Sequence, residues 1–305
     1  MDPFIVLGSA VVGLLVGLTG AGGGALMTPM LILLFSVKPS TAISSDLVAA
    51  VVMRPVGAAV HLQKGTVNLR LVGWMSAGSV PAAFAGTYVL HLFGHSKAAE
   101  HNVQVALGAA LLVGAAAMLL RRLLDRRSGA ERRGRVTQVS PRPLPTLAIG
   151  AVGGLVVGIT SVGAGSLMIV LLMFLYPTLT ASRLVGTDLT QAIPLTAAAA
   201  LGALTFGHVE LPVTSAIIAG SVPAVLVGSL LSSRVPDRYL RPVITFVILA
   251  SGLKYVGLGA RALGWAMVAV LVAGAAVAAR RWTAGGDRLV PAMPPAGNRT
   301  GPSTA

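Results

Sequence analysis

Three strongly ionisable residues, Asp46, Arg54 and Asp188, lie well inside apolar stretches of this chain. In a bilayer each costs about 2.5–3.5 kcal/mol at the centre of a helix, so each needs a partner or an aqueous cavity. The Arg54 guanidinium is a planar fork suited to a tetrahedral or pyramidal oxyanion. A structural pair or a snorkelling side chain is its plainer reading. Asp46 in "SSDLVAA" and Asp188 in "GTDLTQA" fall near the starts of apolar segments. A carboxylate in a first turn can simply cap its helix. The functional alternative places both aspartates across a pseudo-two-fold axis, tuning Arg54 or carrying a proton. Arg54 follows Asp46 by eight residues, about 12 Å along a helix and about 80° around it. Gln191 and Thr187 flank Asp188 within one turn and add neutral donors.

The second feature is a pair of glycine-rich interruptions. "GLTGAGGGALMTPM" (17–30) and "GITSVGAGSLMIVL" (158–171) break hydrophobic segments where helix is expected. Glycine costs a helix interior about 1 kcal/mol against alanine, and proline about 3. The apolar runs after the breaks, 24–36 and 164–176, are too short to cross a core of about 30 Å as straight helices. They predict broken or re-entrant helices. Irregular backbone at that depth survives only where protein buries it or a cavity lines it. A helix restarting at Gly24 or Gly165 points free amides and a positive dipole end at its break. Gly22, Gly23 and Gly163 allow close approach, and Thr19, Thr160, Ser161 and Ser166 add hydroxyls. Together they predict an anion site built from backbone. The competing reading is close helix packing on small residues. "GAGGG" is no phosphate loop: no Lys-Ser/Thr follows and no strand precedes.

These features sit in a chain that is 55% hydrophobic, 10% charged and of mean hydropathy +0.84. Soluble domains carry about 25% charge, so the chain reads as an all-α polytopic membrane protein. Eight arginines fall between Arg121 and Arg142. With the net charge of +14 they suggest cytoplasmic loops rather than nucleic-acid binding. There is no cysteine, which excludes disulfides and thiolate metal sites. His91, His95 and His101 match no zinc spacing, so no metal or other cofactor is expected. "MDPFIVLGSAVV" lacks a positive n-region and reads as a first membrane segment.

The two halves repeat. Thr19, Gly22, Gly24, Leu26 and Met27 recur 141 positions on, at Thr160, Gly163, Gly165, Leu167 and Met168. After one inserted residue the offset is 142: Asp46 matches Asp188, Val67 matches Val209, and Gly78-Ser79-Val80-Pro81 matches Gly220-Ser221-Val222-Pro223. Arg54 then meets Thr196. Such register marks an internal duplication. Five apolar segments per repeat, an odd number, invert the second copy relative to the first, the usual plan of secondary transporters. The expected organisation is transmembrane repeat 1 (1–120), an Arg-rich cytoplasmic linker (121–145), transmembrane repeat 2 (146–260), an extra C-terminal helix (261–280) and a disordered cytoplasmic tail (281–305).

"GLTGAGGGALMTPMLILLF", "VGTDLTQAIPLT" and the repeated "AGSVPA" resemble the sulfite exporter TauE/SafE family of membrane permeases over about 1–260. "SSDLVAAVVMRPVGAAVHLQKGTVNLRLVGWMSAGSVPA" is similar to a branch with aspartate where many members have serine. The resemblance implies transport of sulfur oxyanions or organosulfonates, such as sulfite, sulfoacetate or thiosulfate, across the bacterial inner membrane. It implies that the breaks meet at the substrate path, through Gly22, Gly23, Gly24, Gly163 and Gly165. Ala164 departs from the usual second glycine triad.

The sequence thus predicts a secondary transporter moving a small anion by alternating access. A passive anion channel is the rival, and a membrane-embedded enzyme or an importer subunit fits less well. The expected partners are the anion and the lipid bilayer; a homodimer is compatible with the sequence.

Overall fold

The structure is a computed structural model of the chain. It describes residues 2–19, 23–63, 67–92, 97–127, 139–163, 167–179, 181–231 and 237–259, with positions 262, 264, 265 and 268. Every regular element among them is a helix. These are α1 (Pro3–Thr19), α2 (Gly24–Phe35), α3 (Pro39–Gln63), α4 (Leu69–Leu92) and α5 (Lys97–Arg127) in the first half. The second half holds α6 (Pro143–Thr160), α7 (Leu167–Leu175), α8 (Ala181–Phe206), α9 (Leu211–Leu231) and α10 (Asp237–Tyr255). Residues 1–259 form one compact unit. The stretch set apart as an extra helix and tail, 261–305, lies almost wholly outside the described residues.

Among the described residues, four stretches are long and apolar enough to cross a membrane: Glu100–Leu120, Pro143–Thr160, Arg183–Phe206 and Leu211–Leu231. Many large apolar side chains face outward, and small residues line the closest helix contacts, as in bilayer proteins. On α1, Phe4, Leu7 and Val11 are exposed, while Ser9, Val12 and Gly13 are buried. One difference from the sequence reading is that α5 continues past residue 120 to Arg127. "RRLLDRR" is built mainly of good helix formers, so the helix outlasts the hydrophobic run.

Two seams organise the bundle. Helix α1 packs along α9, and α4 packs along α6. A Cβ on Gly13 would meet the Ser221 carbonyl at 2.7 Å, and one on Gly17 would meet the backbone of Val225 and Gly228. In the other seam Gly154 lies against Ser79, and Gly158 against Ala83 and Gly86. Adding 141 to the α1 positions and subtracting 142 from the α9 positions turns the first set into the second. Repeated residues therefore make equivalent contacts, each half lending one helix to each seam. Helices α3 and α8, which carry the aspartates, pack together between the seams.

Ser161 to Gly163 are described and non-helical, so the second break is a real interruption, while residues 20–22 of the first lie outside the described residues. Helix α1 ends at Thr19 and α2 starts at Gly24; α6 ends at Thr160 and α7 starts at Leu167. At 12 and 9 residues, α2 and α7 are about 18 and 14 Å long. Gly24 to Ile32 of α2 are all buried, so the start of α2 packs against protein rather than lipid.

Candidate functional site

The break of one half touches the break of the other. Gly24, first residue of α2, packs so tightly on Ser161 that a Cβ would overlap the Ser161 carbonyl oxygen. Ser161 ends α6 in the left-handed conformation, φ 58° and ψ 0°, with its N–H on the Val157 carbonyl. Two residues on, Gly163 has φ +129°, a backbone state that L side chains rarely adopt. Its carbonyl accepts the amide of Leu167 at 3.2 Å and starts α7. At the other break Gly23 accepts the amides of Leu26 and Met27 at 3.0 and 2.8 Å. No side chain caps the start of α2, so its first amides point into the break.

Asp46 joins these pieces. It is 1% exposed, and its Oδ2 accepts Ser161 Oγ at 2.7 Å and Thr28 Oγ1 at 3.0 Å. One carboxylate oxygen thus binds the second half's break and the helix after the first half's break. Its Oδ1 is buried with no hydrogen-bond partner. Asp188 on α8 is fully buried. Arg54, 9% exposed, is the only buried lysine or arginine among the described residues. Its charge interacts with both Asp188 and Asp46, and its Nε makes no hydrogen bond. The repeat-equivalent aspartates are therefore balanced differently. Both interact with the guanidinium, and Asp46 also accepts two hydroxyls. The positions equivalent to Arg54 and Thr28 are Thr196 and Ile169.

The other candidates disperse. Thr19 Oγ1 donates to the Leu15 carbonyl and Thr160 Oγ1 to the Val156 carbonyl, both at 2.6 Å. Both hydroxyls back-bond to their own helices, and Thr160 Oγ1 also accepts the Val162 amide at 3.1 Å in the second break. Gln191 Nε2 donates to Ser79 Oγ on α4, and its Oε1 is buried without a partner. Thr187 Oγ1 accepts the Asn68 amide at 3.1 Å, ahead of α4. Gly22, Gly165 and Ser166 lie outside the described residues, as does His95. The sequence reading missed Thr28 and Ser79. Thr28 is the one hydroxyl in "GALMTPMLILLF", a visible signal. Ser79 was visible only as part of a repeated kink motif.

A buried mixed-charge cluster beside two meeting breaks can hold a small polar anion, with arginine and first-turn amides as donors. Among the described residues no group of three or more His, Asp or Glu is placed to hold a metal ion. Comparison with known proteins agrees with a transporter. The family model "Sulfite exporter TauE/SafE" matches residues 5–255. The chain is 38% identical over 257 residues to "Probable membrane transporter protein YjnA" of Bacillus subtilis (strain 168), covering 84% of this chain and all of that protein. It is 24% identical over 261 residues to "Probable membrane transporter protein YdhB" of the same organism, covering 82% of this chain and 98% of that protein. No solved structure matches it. With its family model spanning both chain breaks, this chain is a polytopic membrane protein that belongs to the TauE/SafE sulfite exporter family.

Proposed function

We propose that the chain is a secondary transporter moving a small anion, a sulfur oxyanion or organosulfonate such as sulfite, across the bacterial inner membrane by alternating access. The anion sits between Arg54 and the meeting point of the two breaks. Asp188 holds the guanidinium in place and offsets its charge when the site is empty. The single observation that carries this reading is the buried Arg54 sharing its environment with both aspartates of the repeat. Such a charge is stable in a membrane interior only with partners, and it marks a solute path. The equivalent seams support halves that run in opposite senses across the bilayer, which suits rocking about a central site. The arginine-rich stretch 121–145 then faces the cytoplasm, as does the C-terminus.

Proteoliposome uptake of radiolabelled sulfite tests it. Arg54→Ala lowers uptake at least about 100-fold, because the lost charge-assisted contacts leave Asp188 buried without its cation. Arg54→Lys keeps the charge without the fork and recovers part of the rate. Uptake at the wild-type rate in folded Arg54→Ala removes the arginine from the mechanism. Uptake that follows the sulfite gradient alone, indifferent to pH and cation gradients, makes the protein a channel.

A further inference from the structure

The duplication gives each position near the site an equivalent in the other half, and one pair that keeps its hydroxyl differs in state. Beside Asp188, Thr187 Oγ1 accepts the amide of Asn68, in the connector between α3 and α4. This ties that connector to α8. At the 142 offset Thr187 corresponds to Ser45, beside Asp46, and Asn68 corresponds to Glu210, in the connector between α8 and α9. The hydroxyl is kept in both halves. Yet Ser45 Oγ is buried with no hydrogen-bond partner, so the second tie is unmade. Over it lies a cavity of about 650 Å³, lined among others by Lys38, Thr41, His101, Gln104, His208 and Glu210. Thr41 and Ser45 are four residues apart on α3, hence on one helix face, which puts Ser45 one turn beneath the cavity. Ser44, on the same face, is also buried with no partner for its Oγ and faces Gly207 of the α8–α9 connector.

We propose that Thr187–Asn68 and Ser45–Glu210 are alternating latches, one at each end of the solute path, and that this structure has the first closed and the second open. When the Glu210 amide reaches Ser45 Oγ, the α8–α9 connector closes down on α3 and the cavity shuts. The Thr187–Asn68 bond then releases, which is the present arrangement with the two halves exchanged. Burying a bare hydroxyl has a cost. Each latch returns that cost when it forms, so the two end states lie close in energy. The inference rests on the alternating-access reading and adds the groups that hold each gate.

The chain has no cysteine, so Gln104→Cys supplies a single reporter in the cavity wall. Its labelling by a bulky maleimide is followed in the purified, detergent-solubilised protein. Thr187→Val, close in shape but without the acceptor, destabilises the state with the cavity open and slows labelling about fivefold, the shift one hydrogen bond carries. Adding Ser45→Ala removes the opposing latch and restores the rate. Thr187→Ser labels as the wild type does. Should Thr187→Val fail to fold, Asn68→Pro removes the donor instead and must slow labelling in the same way. Wild-type labelling in Thr187→Val, or a double variant as slow as the single, overturns the proposal. Labelling requires no solute, so a failure to move sulfite would count against the transport reading alone.

Discussion

At the scale of single residues, charge inside an apolar stretch is legible and its partner is not. Asp46, Arg54 and Asp188 stand out because hydrophobic surroundings make each of them costly. Sequence spacing allowed Arg54 to meet Asp46 only if its side chain bent back. The structure also brings Arg54 within electrostatic reach of Asp188, 134 positions away, because α3 packs against α8, and Asp46 interacts with it too. Asp46 is held by hydroxyls of α2 and of the second break, a pairing that no periodicity along α3 could reveal. Removing either hydroxyl strips a charge-assisted hydrogen bond from a buried carboxylate, worth about 1.5–3 kcal/mol. Ser161→Ala and Thr28→Val should therefore each lower the unfolding temperature of the purified protein in detergent. Ser40→Ala removes the half-buried bond to Glu100, 2.6 Å long, at the margin of the bundle. It should cost less, since a partly exposed group regains water.

At the scale of elements, the order of segments and the second break could be read from hydropathy and glycine content. The end of α5 could not, since the hydrophobic run marks the bilayer edge rather than the last helical turn. Nor did glycine content separate the roles of individual glycines. Gly24 is required because backbone from the other half occupies the place of its Cβ, whereas a Cβ on Gly73 of α4 would meet nothing within 4 Å. Gly24→Ala must push α2 away from Ser161. It should reduce sulfite uptake at least about tenfold, a 1 Å misplacement near such a site being worth up to about 100-fold. Gly73→Ala should transport normally and unfold slightly later, since alanine is the better helix former by about 1 kcal/mol. Paired uptake assays and melting curves on these two variants check both statements.

At the scale of the whole molecule, the duplication was legible because two offsets hold register over about 70 residues. What the repeat could not show was how the copies join. Each half gives its first helix to a seam with the fourth helix of the other, and the carboxylate of one half seals the break of the other. Such exchange leaves neither half with a complete site. On the proposed function, a site shared by two copies needs one guanidinium, not two, which fits the dissimilar charges of the similar halves. The central claim is that a small oxyanion binds inside the bundle, between Arg54 and the meeting breaks. Anomalous diffraction from crystals soaked in selenite, a heavier analogue of sulfite, tests it most directly. The account predicts a selenium peak within the bundle, its oxygens about 2.7–3.2 Å from the Arg54 guanidinium and from amides at the start of α2. A peak confined to the cavity above Ser45, or to the surface, with none beside Arg54, would contradict it.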